Sequence, residues 1–150
     1  MTSAIYRRLA ALALTGFIMA FSAGTARASD LKLEVRLVWG TNDEKSPNPD
    51  HRPVDGKTTG MLSKAFKWKK YFLVNSEKVD VSSRGTKKVK LSEHSEVEIR
   101  ELEGDNVEIH VYGKGKLVRK IKEPLSKDGT VVIAGEDKND CAWFIILKNR

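Results

Sequence analysis

The sequence predicts an all-β fold: an antiparallel β-sandwich or partly closed barrel of about nine strands with one short helix. Three observations carry this expectation. Cys141–Leu147 reads Cys-Ala-Trp-Phe-Ile-Ile-Leu, an uncharged run rich in aromatic and β-branched residues behind a polar turn at Glu136–Asp140. It is too short for a helix of usual length and fits a strand covered on both faces. Leu31–Trp39 alternates, with Leu31, Leu33, Val35, Leu37 and Trp39 on one side and Lys32, Glu34 and Arg36 on the other. That period of two belongs to a half-buried strand. From Trp68 onward the chain breaks into short alternating segments separated by turn residues.

In chain order, residues 1–28 read as a secretory signal peptide. Arg7 and Arg8 open it, Leu9–Phe21 is apolar apart from Thr15 and Gly16, and Ala26-Arg27-Ala28 offers a small-residue cleavage site before Ser29. The apolar run falls well short of the ~20 residues that span a bilayer. No cysteine follows the cleavage point, so a lipoprotein anchor is not indicated. The expected product, residues 29–150, is one β-sandwich domain in the periplasm or outside the cell. Its charge is milder than that of the full chain. The chain has 27 cationic and 20 acidic residues; removing Arg7, Arg8 and Arg27 leaves 24 against 20.

Gly40–Lys57 is polar with three prolines and no alternation, a long connection. Asp43, Glu44, Asp50, His51 and Asp55 lie in it, but their spacing matches no calcium or zinc pattern, and a surface loop suffices to explain them. Thr58–Phe66 reads as the helix, capped by Thr58 or Thr59, with Met61, Leu62, Ala65 and Phe66 on one apolar face. Trp68–Val74 is the next strand and Asn75–Lys78 a turn. Val79–Val81 is a short strand, Ser82–Gly85 a second turn, and Thr86–Leu91 a strand with Val89 and Leu91 inward. Glu96–Glu101 and Val107–Tyr112 form a hairpin around Leu102–Asn106. The expected register sets Ile99 against Ile109, Val97 against Val111, Arg100 against Glu108 and Glu98 against His110. Gly113-Lys114-Gly115-Lys116 lacks the spacing of a phosphate-binding loop and has strand-like flanks, so it reads as a hairpin turn. Leu117–Ile121 and Thr130–Ala134 complete the set, with Pro124 and a Lys127-Asp128-Gly129 turn between them. The three tryptophans are expected in one core.

Val38-Trp39-Gly40-Thr41, Phe66-Lys67-Trp68-Lys69 with Tyr71-Phe72, and Ala134-Gly135 leading to Ala142-Trp143-Phe144 resemble a group of small exported bacterial all-β proteins of unknown function. The similarity spans most of residues 29–150. It rests on hydrophobic and turn residues, so it implies a shared fold and brings no catalytic residues.

No arrangement of catalytic residues, cofactor motif or metal pattern stands out. Cys141, the single cysteine, has no histidine beside it and reads as a small hydrophobe of the core strand. The exposed face of the Glu96–Tyr112 hairpin offers no pocket for acid/base work. These features point to a non-catalytic binding or structural module of the bacterial cell envelope, partnered by another envelope protein or an anionic surface. The alternative is binding of a polyanion: anionic lipid, polysaccharide or nucleic acid. Lys67–Lys90 holds eight cations against Glu77 and Asp80, whereas Glu93–Glu108 holds seven acids and Arg100. Lys67, Lys69, Lys88 and Lys90 are the candidate polyanion-binding residues. A small hydrolase is the third reading.

Overall fold

Residues 30–150 are described by the computed structural model; the expected signal peptide and its cleavage point lie outside them. The strands are β1 (Leu31–Thr41), β2 (Arg52–Pro53), β3 (Lys70–Val81), β4 (Thr86–Lys90), β5 (Ser95–Glu101), β6 (Asn106–Gly113), β7 (Lys116–Pro124), β8 (Thr130–Asp137) and β9 (Cys141–Asn149). The helix α1 spans Gly56–Ala65. Two antiparallel sheets form, one ordered β2-β3-β1-β9-β8 and the other β4-β5-β6-β7. The fold is therefore a sandwich of five strands on four, and no closed barrel.

Alternation decides which side chains meet between the sheets. Leu33, Val35 and Leu37 of β1 join Ile145 and Leu147 of β9 and Val131 and Ile133 of β8. Val97, Ile99, Val107, Ile109 and Val111 face them from the four-stranded sheet. Each such side chain removed from water contributes about 1.5–3 kcal/mol.

A second cluster covers the opposite face of the five-stranded sheet. Val38, Leu62, Trp68, Tyr71, Ala142, Phe144 and Ile146 form it, roofed by α1 and the segment that follows. Phe144 sits at its centre, fully buried, with the rings of Phe66, Trp68 and Tyr71 at 4.8, 5.8 and 5.6 Å in edge-on arrangements. Gly40 makes this possible: a Cβ there would stand 2.7 Å from the Phe144 ring. The run Cys141–Leu147 is thus covered on both faces, which is why it carries no charge.

The hairpin register between β5 and β6 matches the expected one at all four pairs. Four other expectations need correction. Asn75–Lys78 is strand, not turn. Its residues pair with Leu37–Glu34 of β1, and the extra residue Val74 is absorbed as a bulge. The Asn75 side chain donates to the distant Leu91 carbonyl and accepts from the adjacent Ser76 N–H, and pairing with β1 overrides its turn preference.

The cap of α1 is Asp55, which accepts from the Thr58 N–H at 2.8 Å and from the Thr58 hydroxyl at 2.7 Å. Met61 and Ala65 are exposed; the buried face is Thr58 and Leu62, extended by Phe66. The tryptophans do not share one core. Trp68 belongs to the outer cluster, and half-buried Trp143 packs on the rim of the inner one. Trp39 lies opposite Trp143 with its buried Nε1 unpartnered. Trp143 is accommodated by Gly135, where a Cβ would come within 2.1 Å of the indole.

Candidate functional site

The outer face of the four-stranded sheet follows from the same alternation that fills the core. With Val89, Val97, Ile99, Ile109 and Val111 inward, their neighbours point out. Three cross-strand rungs result: Lys90–Glu96–Tyr112–Leu117, Lys88–Glu98–His110–Lys120, and Thr86–Arg100–Glu108–Lys122. Carboxylates occupy the central strands and lysines the edges.

The charges interlock. His110 Nε2 lies 2.8 Å from Glu108 Oε1, and its Nδ1 lies 3.6 Å from Glu98 Oε1. An ionised carboxylate only accepts, so Nε2 carries the proton toward Glu108. Lys120 and Lys122 reach Glu108 at 3.5 and 3.6 Å, and Lys88 reaches Glu98 at 3.8 Å. Burial opposes ionisation of Glu108, but the His110 hydrogen bond and the adjacent Lys120 outweigh it and hold its carboxyl below the ordinary range.

The layering is unequal. The Glu98 and Glu108 side chains are 17% and 8% exposed, whereas Lys88, Lys120 and Lys122 are 63%, 54% and 67% exposed. Carboxylates lie beneath and ammonium groups stand above them. The face read as exposed from the sequence is therefore more buried at its centre, where the His110 side chain is 16% exposed, than along its edges.

Lys88 and Lys90 both lie on β4 and on this face. Lys67 and Lys69 do not join them. Lys67 precedes β3, where its Nζ meets Asp140 Oδ1 at 2.6 Å and lies 5.1 Å from the Trp68 ring. The Trp68 Nε1–H donates to the Asp140 carbonyl at 2.7 Å, so this pair fastens the segment to the β8–β9 turn. Lys69 lies beside it, its backbone N–H donating to Asn42 Oδ1. The Leu91 carbonyl contacts Asn75. Lys69 is six residues from that point along the chain, roughly 20 Å of strand at ~3.3 Å per residue. Lys120, Lys122 and Arg100 share the face with Lys88 and Lys90 instead. The signal for them was period two in Lys120-Ile121-Lys122, legible once β7 extends to Pro124.

A second polar feature flanks α1. A cleft of about 350 Å³ is lined by Arg36, Asp55, Met61, Thr130, Ile146 and Lys148, among others. Arg36 bonds Glu34 at 2.9 Å and Asp55 at 3.0 Å, tying the helix N-terminus to β1. Hydrogen bonds from the Thr58 N–H and hydroxyl, with Arg36 adding to them, hold the Asp55 carboxyl down to about 2. Glu34, Arg36, Asp55 and Thr58 are engaged with one another here. The stretch Gly40–Lys57 is not one loop, since it ends β1, contains β2 and begins α1; in the connection between β1 and β2, His51 Nδ1 lies 2.6 Å from Ser46 Oγ. Among the described residues no three His, Cys, Asp or Glu side chains gather where they could hold a metal. Cys141 is buried, its Sγ 3.5 Å from Thr41 Oγ1 and 3.4 Å from the Asn139 carbonyl.

No family model, curated protein or solved structure matches the chain.

Proposed function

We propose that the chain is an exported, non-catalytic binding module of the cell envelope, and that the outer face of its four-stranded sheet meets a polyanionic surface. One observation carries the reading: on that face the lysines stand exposed above carboxylates that are nearly covered. An approaching anion meets ammonium groups first, although the lattice beneath is close to balanced. Glu108, His110 and Glu98 are committed to one another on an open sheet face, an arrangement suited to holding lysines in place rather than to proton transfer. Export rests on the signal-peptide pattern of residues 1–28.

Retention on a heparin column tests this. Binding should fall with salt, because each neutralised anionic group releases a counterion. Lys88→Gln/Lys90→Gln should elute at lower salt than the wild type and lower than Lys114→Gln/Lys116→Gln, in the β6–β7 turn and at the first residue of β7. Lys67→Gln/Lys69→Gln, remote from the face, should elute near the wild type. All three variants remove the same charge, so equal losses would overturn the polyanion reading.

A further inference from the structure

We propose that the free edge of β7 is a docking site for an extended acidic segment of a partner protein, which adds to the four-stranded sheet as a fifth strand. β7 pairs with β6 on one side and, among the described residues, has no strand on the other. All its residues but Ile121 are exposed. Leu117 and Val118, 54% and 55% exposed, are two of the three large hydrophobics left in solvent among the described residues. Val118 is the extra residue of a bulge, since Arg119 pairs with Val111 and Leu117 with Tyr112. The stretch Arg119–Glu123 beyond it is regular, and an unpaired regular edge offers alternate backbone donors and acceptors to a new strand.

Charge selects the occupant. β7 carries Lys116, Arg119, Lys120 and Lys122 against Glu123. A second copy pairing antiparallel about Lys120 would set Lys120 against its own counterpart, and like charges directly opposite are unfavourable. An acidic strand would instead place carboxylates beside Lys120 and Lys122, whose single shared partner is Glu108. The neighbouring edge of β8 is already engaged at this point, because Arg119 Nη1 donates to the Ala134 carbonyl at 3.1 Å. The other terminal strand of the sheet, β4, is only five residues long.

This site is an edge, not the face described above; it shares Lys120 and Lys122 with that face but rests on backbone pairing along β7 rather than on the polyanion reading. Amide hydrogen exchange of residues 29–150 with a peptide of alternating glutamate and valine, matched in length to β7, tests it. The acidic peptide should slow exchange at alternate amides between Arg119 and Glu123, and a lysine–valine peptide should not. Lys120→Gln/Lys122→Gln should weaken the acidic peptide about tenfold. No slowing along β7, equal slowing by both peptides, or slowing confined to β4 or β8 would overturn the proposal. Slowing along β7 in a protein that heparin does not retain would leave the edge standing and remove the polyanion face.

Discussion

Phe144 shows how much a single side chain determines here. It is fully buried under three aromatic rings, and the chain gives up a side chain at Gly40 to admit it. Phe144→Ala should cost ~3–5 kcal/mol, read as a fall in the denaturant midpoint at unchanged slope. Trp143→Ala should cost less, because half-buried Trp143 packs on the rim of the core. From the sequence these neighbours look equally central; only the strand's two faces, one roofed by α1 and one by the second sheet, separate them. Asp55 was legible only as a loop acid, since Gly56 behind it looks like loop rather than the first helical residue. Asp55→Ala should cost ~1 kcal/mol through the lost cap. Its carboxyl lies at about 2 when folded, against an ordinary value of 3.8. A depressed folded value stabilises above the unfolded one and is lost on acidification, so the contribution should be whole above about pH 5 and gone near about pH 1. Its side chain is 52% exposed, so solvent screening keeps the effect small. The wild type should thus lose slightly more stability than Asp55→Asn between those limits. Cys141→Ser should fold and keep any binding, with some loss of stability from a hydroxyl in a buried position.

Among the elements, those defined by local pattern were legible and those defined by pairing were not. The β5–β6 hairpin is the clearest success, because alternation and a short turn fix the register together. The turn at Glu103–Asn106 has Gly104 and Asp105 at positive φ, as a tight hairpin requires. β3 is the clearest failure. Asn75, Ser76 and Glu77 are weak strand formers, but β1 on one side holds them extended, and no local signal announces that partner. The candidate polyanion residues divided for the same reason: Lys67 and Lys88 are close in sequence, and the length of β3 separates them. Gly135 offers a test at this scale. Gly135→Ala should force the Trp143 indole off the sheet and destabilise by an amount typical of overpacking, ~1–3 kcal/mol. Loss of the near-ultraviolet tryptophan signal before loss of the far-ultraviolet strand signal would locate the damage at that rim; an unchanged melting temperature would show the indole has room to move.

For the whole molecule, the two sheets differ in how they are drawn from the chain. The four-stranded sheet is a continuous meander, Thr86–Pro124, each strand beside its sequence neighbour. The five-stranded sheet joins β1 and β9, so that Trp39 meets Trp143 about a hundred residues later. Local pairing forms quickly and distant pairing slowly, so the meander should be protected first in pulse-labelled refolding and β1 last. Simultaneous protection of Leu33 and Ile99 would contradict that order. The class of fold was legible because most strands announce themselves, by alternation or, in β9, by an unbroken apolar run; the strand order was not, because nothing in a strand names its partner. The position of β9 between β1 and β8 carries a further consequence under the proposed export of the chain. A polypeptide threading a membrane with its amino end leading must not lock into shape before the crossing is done. If the chain crosses in that way, the strand that completes the larger sheet is the last of the nine described strands to emerge, and its arrival times the closure of the fold.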